Sequence, residues 1–217
     1  MVSVSIARGK VDRLFATPVI TDTVPFADRL NRDLERSILA ELDRSPGHKL
    51  SNRGGWQSEH NLTDWAGEPA QAIVDHALAV ADAHTAGPKL KPSRWRHDAW
   101  ANVSKAGDFN MPHFHSSTFW AAVYYVAVGS GEGGELVLHD PRLPALAMHA
   151  AHLGFKAAGV QGEYRIAPSP GLMVLFPAWL LHSVEPWQGR GQRISIAMNI
   201  RARTVVQARE TREQVDQ

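Results

Sequence analysis

The apolar positions in the first half of the chain repeat with helical spacing. Between Pro25 and about Arg44, every fourth residue is apolar with charged residues between, the members being Phe26, Leu30, Leu34, Ile38 and Leu42. This pattern predicts an amphipathic helix that ends at "SPG", residues 45–47. A second helix is predicted over 68–86, "EPAQAIVDHALAVADAHTA", because Pro stands near its start and its body is Ala-rich. One side of it carries Ile73, Val74, Ala77, Leu78 and Ala81.

From about residue 95 the pattern changes to a period of two, or to short apolar runs bounded by Gly and Pro. The segments are "WRHDAWANVS", "FWAAVYYVAV", "GGELVLHD", "GEYRIAPS", "GLMVLFP" and "RISIAMNI". At least six short strands without intervening helices predict an antiparallel double sheet or barrel of the jelly-roll type. The glycines of "GEGGELVLHDP" precede a strand rather than a helix, so they predict a hairpin turn and not a phosphate-binding loop.

The predicted fold class is therefore mainly β with flanking α-helices, around a double-stranded β-helix of the jelly-roll or cupin-like kind. The length of 217 residues suits one domain. Within it we expect an N-terminal helical segment (1–90) packed on the core, a jelly-roll core (91–202) and a C-terminal tail (203–217).

Composition narrows the chemistry. The 23 Lys and Arg against 22 Asp and Glu give a net charge of +1, which provides no electrostatic case for a nucleic-acid or membrane-surface partner. No run approaches the ~20 apolar residues of a membrane span, and we expect a cytoplasmic protein. The absence of cysteine excludes disulfides, iron–sulfur ligation and thiol nucleophiles. Any metal must therefore be held by nitrogen and oxygen.

Two histidines stand two residues apart in "FNMPHFHSSTFW", residues 109–120. In a regular strand His113 and His115 would point to the same face and could bind one metal ion together. Pro112 limits strand pairing there and predicts a strand start or an edge. The alternative is a pair of surface or pocket histidines that bond to each other or to a backbone carbonyl.

Downstream, "GLMVLFPAWLLHSVEPWQGRGQRISIAMNI" predicts a buried strand, a turn with His182, a Gly-rich turn and another buried strand. A jelly roll would bring His182 back towards the histidine pair. Arg193 alternates with Ile194, Ile196 and Met198, and burying a guanidinium requires an anion. Either a bound acid or one of the chain's own carboxylates could supply it.

These segments together resemble the 2-oxoglutarate (2OG) and Fe(II)-dependent oxygenases, specifically a small bacterial group with a double-stranded β-helix. The resemblance rests on "SNRGGWQS", "NMPHFHSSTFWAAVYYV", "GGELVLHDPR", "LFPAWLLHSVEPW" and "GQRISIAMNI", which span most of residues 50–200. It implies that His113, His115 and His182 are catalytic iron ligands. It also implies that Arg193 and Ser195, with Tyr125 and Tyr124, bind the far carboxylate of 2OG.

The sequence departs from the family pattern at one ligand. Most of the superfamily uses two histidines and one carboxylate, whereas here His115 stands at the carboxylate position. We expect a three-histidine site; otherwise a carboxylate comes from Asp108, Glu135 or Asp140, of which Asp140 is favoured. Trp120 and Trp179 flank the proposed ligands and are candidate pocket walls, as is Asp140.

The resemblance implies an oxygenase that couples decarboxylation of 2OG to hydroxylation of an unidentified small-molecule or peptide substrate, with Fe(II) and molecular oxygen. Two alternatives stay open: a cupin-like metal enzyme that does not use 2OG, and a non-catalytic small-molecule binding module. A homodimer is the default expectation for assembly. The N-terminal helices and residues 141–163 are the expected variable walls of the pocket.

Overall fold

The molecule is mainly β, with two antiparallel sheets and two helices, in a computed structural model that describes residues 15–87, 95–142 and 162–203. The helices are α1 (Ala27–Leu42) and α2 (Leu62–Ala83). The larger sheet has the order β1-β9-β6-β11-β4-β3 and the smaller sheet β2-β5-β10-β7-β8. This confirms the predicted fold class.

The strands of the larger sheet are β1 (Ile20–Thr23), β3 (Trp56–Gln57), β4 (Trp95–Ser104), β6 (Trp120–Ser130), β9 (Leu172–Pro177) and β11 (Arg190–Ala202). Those of the smaller sheet are β2 (Asn52–Arg53), β5 (Phe109–His113), β7 (Leu136–His139), β8 (Glu163–Ile166) and β10 (His182–Val184). All pairings between them are antiparallel.

Helix α1 packs on the larger sheet through the predicted apolar stripe, in which Leu34 and Ile38 are fully buried. Phe26 was expected on that stripe, but it is 86% exposed. It precedes the helix with a left-handed backbone (φ 60°), so its side chain points away from the packed face.

Helix α2 begins six residues earlier than the pattern predicts. A first turn from Leu62 ends at Gly67, whose φ of 67° and ψ of −154° break the helical geometry. The second part contains the predicted stretch, and Pro69 is tolerated because it lies in the first turn after the break, where a backbone N–H has no helical acceptor. Its buried residues include Ile73, Val74, Ala77 and Ala81, as expected.

Strand β11 lies in the middle of the larger sheet and pairs along its length with both β4 and β6. Ile194, Ile196, Met198 and Ile200 belong to the core shared with α1 and α2. The alternate residues Arg193, Ser195, Ala197 and Asn199 line a cavity on the opposite face of the sheet. The strand therefore separates a packed side from an open side.

Pro112 lies near the end of β5, beyond the two residues that pair with β2, so the edge alternative applies and not the strand start. The β5–β10 register shifts beside it, between His182 and Val184. Two other expectations about strands need correction. The connection after β6 is not a hairpin, because β6 belongs to the larger sheet and β7 to the smaller one. The expected helical segment 1–90 also contributes the short strands β1, β2 and β3.

Some predictions fall on residues that the structure does not describe. The predicted tail lies outside the described residues except for Arg203, and most of the expected variable wall at 141–163 does too. In the described part of the chain, neither helix has the length and apolar content of a bilayer-spanning segment. The division into residues 1–90, 91–202 and 203–217 stays a prediction.

The hydroxyl of Tyr124 donates a hydrogen bond of 2.6 Å to Oδ1 of Asn31, which joins β6 to α1 in the core. We expect Tyr124→Phe to lower the free energy of unfolding by about 1–2 kcal/mol, because it leaves the buried Asn31 oxygen unpaired. Chemical denaturation measures this change. Tyr125→Phe is the matched control: its hydroxyl has no partner among the described residues, so its removal should leave stability nearly unchanged. Equal effects of the two substitutions would contradict this assignment.

Candidate metal and co-substrate site

Three histidine side chains converge at one end of the smaller sheet. His113 ends β5, His182 begins β10 directly opposite it, and His115 follows β5 with its backbone N–H bonded to the carbonyl of Ala178. Each offers one ring nitrogen, and these nitrogens lie within 4.8 Å of one another. The sequence-predicted histidines are thus brought together by the pairing of two strands and the turn after β9.

Backbone carbonyls fix the orientation of two of these rings. Nδ1 of His113 donates to the carbonyl of Met111 (2.7 Å), and Nδ1 of His182 donates to that of Leu180 (2.9 Å). With the proton on Nδ1, each Nε2 keeps its lone pair, which is the arrangement that a metal ligand requires. The Nε2 atoms of His182 and His115 lie 3.2 Å apart.

The environment favours neutral imidazoles. Burial, reinforced by the neighbouring His113, lowers the pKa of His182 to about 3. Burial and the same neighbour lower the pKa of His115 to about 4. Burial also lowers the pKa of His113, although its hydrogen bond to Met111 opposes the shift. At neutral pH all three rings are therefore available as uncharged nitrogen donors.

The histidines open into a cavity of about 380 Å³ between the two sheets. Apolar side chains from both sheets form part of its wall, among them Ala121, Val123, Leu136 and Phe176. Its polar wall comes mainly from the larger sheet and includes Gln57, Asn102, Arg193, Ser195 and Asn199.

Arg193 is buried in this wall, with 2% of its surface exposed. Its Nη1 donates a long hydrogen bond (3.4 Å) to Ser195 Oγ, and its Nε has no partner among the described residues. No carboxylate in the described chain forms an ion pair with it. A buried guanidinium without a counter-ion is energetically costly, and an anion from outside the protein would remove this cost. This favours the bound acid over the internal ion pair.

The two tyrosines face opposite sides of the larger sheet. The ring of Tyr125 lies 5.0 Å from Arg193 Cζ, and its buried hydroxyl has no partner among the described residues. Burial raises the pKa of this hydroxyl while the Arg193 charge opposes the shift, so Tyr125 stays protonated and able to donate. Tyr124 was predicted to bind the co-substrate as well, but this is wrong. Its side chain lies in the helix-facing core, because adjacent strand residues point to opposite faces.

Neither predicted tryptophan lines the cavity. Trp120 is 3% exposed in the helix-facing core, where its Nε1 donates to Thr85 Oγ1. Trp179 lies in the turn between β9 and β10 and is 56% exposed. Both expectations came from proximity in sequence to the histidines, which does not decide on which face of the sheet a side chain lies.

None of the carboxylates considered as a ligand belongs to the histidine group. Asp140 instead accepts hydrogen bonds from Nε and Nη2 of Arg142 (2.8 and 2.7 Å), and Arg142 lowers its pKa. Asp108 accepts from the Lys105 backbone N–H. Glu135 lies outside the group as well, so among the described residues the candidate ligand atoms are three imidazole nitrogens. Asp140 also does not line the cavity.

Sequence reasoning missed several residues of the wall. His60 stacks on Trp100 with ring centroids 4.5 Å apart, and Trp100 lies 6.1 Å from the ring of His115. Asn102 and Asn199 line the same cavity. The signal was present in the alternation of β4 and β11. On β4, Trp100 and Asn102 alternate with the buried Ala99, Ala101 and Val103 and therefore point into the cavity. On β11, Asn199 shares the face of Arg193.

Comparisons with known proteins agree with this geometry. Residues 98–199 match the family profile described as "Putative 2OG-Fe(II) oxygenase". These residues contain His113, His115, His182 and Arg193. No protein of curated function matches the chain significantly in sequence.

Solved structures of low sequence identity share the fold. A Pseudomonas putida prolyl-4-hydroxylase aligns with TM-score 0.59 and 19% identity over 86% of this chain and 93% of that one. A prolyl hydroxylase from Trichoplax adhaerens, in complex with a hypoxia inducible factor peptide fragment, aligns with TM-score 0.63 and 11% identity over 92% of this chain and 87% of that one. HygX from Streptomyces hygroscopicus, with nickel and 2-oxoglutarate bound, aligns with TM-score 0.58 and 14% identity over 86% of this chain and 83% of that one.

The lowered histidine pKa values predict an acid-sensitive metal-free protein. In the unfolded chain these rings take up protons below pH 6.5, whereas folded His182 and His115 resist until about 3 and about 4. The folding stability that depends on these neutral rings is therefore fully present above pH 6.5 and is lost as the pH falls below that value. We expect His182→Gln to reduce the loss in free energy of unfolding between pH 7 and pH 5 by about 1–2 kcal/mol. Denaturation in the presence of a chelator measures it; parallel pH curves for the two proteins would contradict the prediction.

Proposed function

We propose that the chain is a non-haem iron enzyme that couples decarboxylation of 2OG to hydroxylation of a second substrate. The premise is that residues 98–199 belong to the 2OG-Fe(II) oxygenase family. One observation carries the proposal. Three converging imidazole nitrogens and a buried guanidinium without a protein anion line the same cavity. The first feature suits a metal ion and the second suits the carboxylate of an acid that reaches it.

The histidines fit Fe(II) in their chemistry, and the His115–His182 pair also fits it in spacing. Two imidazole nitrogens on one metal, with bonds of about 2.1 Å, would lie about 3.0–3.4 Å apart for angles between octahedral and tetrahedral. The His115 and His182 Nε2 atoms are 3.2 Å apart. Without a metal this pair can share a hydrogen bond, in which neutral His115 donates from Nε2 to the lone pair of His182. A bound metal ion would take the place of that proton. We therefore assign His113, His115 and His182 as the ligands.

Arg193 and Ser195 would bind the far carboxylate of 2OG. The Arg193 fork can donate to both carboxylate oxygens, and the unpaired Nε is one of the donors that such a pair uses. The protonated Tyr125 hydroxyl, beside Arg193, is available as a further donor. A carboxylate there would satisfy two polar atoms that the described protein leaves without partners.

The remaining residues define the setting for the reaction. Bound Fe(II) and 2OG supply the oxidising chemistry with dioxygen, which no side chain of this cysteine-free cavity could perform. The chain's own contribution is to hold the co-substrate at Arg193, to orient His113 and His182 through backbone carbonyls, and to exclude water with Ala121, Leu136 and Phe176. The substrate stays unidentified, either a small molecule or a peptide. The cytoplasmic location, the bacterial group and the homodimer stay predictions.

Spectroscopy of the anaerobic protein separates the two halves of this site. Addition of Fe(II) and then 2OG should produce the weak visible charge-transfer band of a keto acid chelated to ferrous iron. His182→Ala should abolish tight Fe(II) binding, whereas Arg193→Met should retain Fe(II) and weaken 2OG by about 10–100-fold, since it removes charge-assisted hydrogen bonds. If wild-type protein binds Fe(II) without the band, a cupin-like enzyme that does not use 2OG replaces this proposal. If it binds no metal, the non-catalytic module does.

Gly134 provides a steric test of the Arg193 site. Its φ is +69°, and a Cβ there would lie 2.7 Å from Cδ of Arg193, so Gly134→Ala must displace the guanidinium. We expect 2OG affinity, read from titration of the band, to fall about tenfold, because the loss approaches that of one charge-assisted hydrogen bond. Gly107→Ala is the matched control: its φ is +91°, but its Cβ would meet nothing within 4 Å. The same loss in both variants would indicate backbone strain rather than displacement of Arg193.

A further inference from the structure

Asn199 is a buried side chain whose hydrogen-bonding groups are not used by the described protein. It lines the cavity and is only 8% exposed. Its Oδ1 is buried without a partner, and no hydrogen bond joins its side chain to any residue that the structure describes. Because an unsatisfied buried carboxamide lowers stability, its presence in the wall calls for an explanation.

Its position along β11 separates it from the co-substrate site. Arg193, Ser195, Ala197 and Asn199 follow one another on the cavity face, so Arg193 and Asn199 are about 20 Å apart along the strand. Asn199 pairs with Ala121 and Ala121 with Phe176, whose ring lies 4.7 Å from that of His182. The histidines therefore lie towards the Asn199 end of this row. Arg193 lies towards one end of the row and Asn199 towards the other.

The surroundings of Asn199 carry little net charge. Asp98, its partner on β4, forms an ion pair with Arg201, so the two charges compensate each other. Burial lowers the pKa of His60 on the same side of the cavity, which favours its neutral form. Apart from the histidines, Arg193 is the charged residue among the described lining residues. A charged ligand group would therefore find no counter-ion among the described side chains at this end.

Apolar contacts dominate the rest of this end. Leu50 and Phe114 line the cavity and are each 61% exposed, although large apolar side chains favour burial. Ala121, which pairs with Asn199, is small and leaves space beside the carboxamide. This end can therefore hold an apolar group next to one hydrogen-bonding position.

We propose that Asn199 is a specificity residue that binds an uncharged hydroxyl or amide group of the oxygenase substrate, with Leu50 and Phe114 contacting an apolar part. The proposal rests on the proposed function, since it places the substrate beside the histidines, at the end of the cavity away from Arg193. A carboxamide both donates and accepts, so it matches a hydroxyl or an amide, which also do both. A substrate that is anionic or purely hydrocarbon at this position is excluded.

The first test needs neither metal nor substrate. Asn199→Leu removes a polar group that bonds to nothing in the described protein, so the thermal midpoint of the metal-free protein should stay unchanged or rise. Asn31→Leu is the matched control, because Asn31 is also 8% exposed but accepts the Tyr124 hydroxyl. It should lower the midpoint. An equal fall in both variants would assign Asn199 a structural role and overturn the proposal.

The second test measures ligand binding by ligand-observed NMR on the protein loaded with Fe(II) and 2OG under anaerobic conditions. The probes are N-acetyl-L-leucinamide, its fully N-methylated derivative and N-acetyl-L-leucine. We expect the amide to bind, and the methylated and anionic probes to bind at least about tenfold more weakly. Asn199→Leu should lose about tenfold for the amide, whereas Asn31→Leu should not. Absence of amide binding to wild type, or equal affinity of wild type and Asn199→Leu, overturns the proposal.

The two proposals fail in distinguishable ways. If wild-type protein shows no charge-transfer band with Fe(II) and 2OG, the oxygenase assignment fails, whatever Asn199 does. If Asn199→Leu retains the band and still binds the amide as wild type does, the oxygenase assignment stands and the role of Asn199 is wrong.

Discussion

The two-residue repeat of β11 is the constraint on which the rest of the molecule depends. Continuous antiparallel pairing with β4 holds the strand in one register, while the pairing with β6 on the other side shifts between Ile194 and Ser195. The side chains of β11 therefore alternate between two environments. Ile194 and Ile196 pack against the helices, while Arg193 and Ser195 face the cavity. A shift by one residue would bury the isoleucines in the cavity wall and place a guanidinium in the apolar core, so packing and chemistry fix the same register.

The smaller sheet adds the proposed metal ligands to this scaffold. His113 and His182 are direct partners across β5 and β10, and backbone carbonyls hold their Nδ1 protons. His115 reaches them because its backbone is bonded to Ala178 in the turn before β10. The buried Arg193, which has no anion among the described residues, is unfavourable in the protein alone. An unsatisfied buried charge is typical of a site that is completed by its ligand.

The site is consequently divided along one strand by chemistry. Arg193 offers positive charge towards one end, whereas the histidines offer neutral nitrogen and Asn199 an uncharged carboxamide towards the other end. An acid held at Arg193 would thus extend towards the metal, and a neutral substrate would lie beside the metal at Asn199. This order explains how a cavity of about 380 Å³ could select two different ligands.

The sequence by itself determined the fold class and most strands after residue 95, and it singled out the three histidines that converge and the buried Arg193. It could do so because period-two alternation and a charged residue in an apolar strand are local signals. It did not determine which neighbours share a face: Tyr124 and Trp120 lie in the core, whereas Trp100 and Asn199 line the cavity. Only the tertiary structure decided these, along with the exclusion of Asp140 by its pairing with Arg142. The physical reason is that strand register and the packing of one sheet face on the helices arise from contacts between residues distant in sequence.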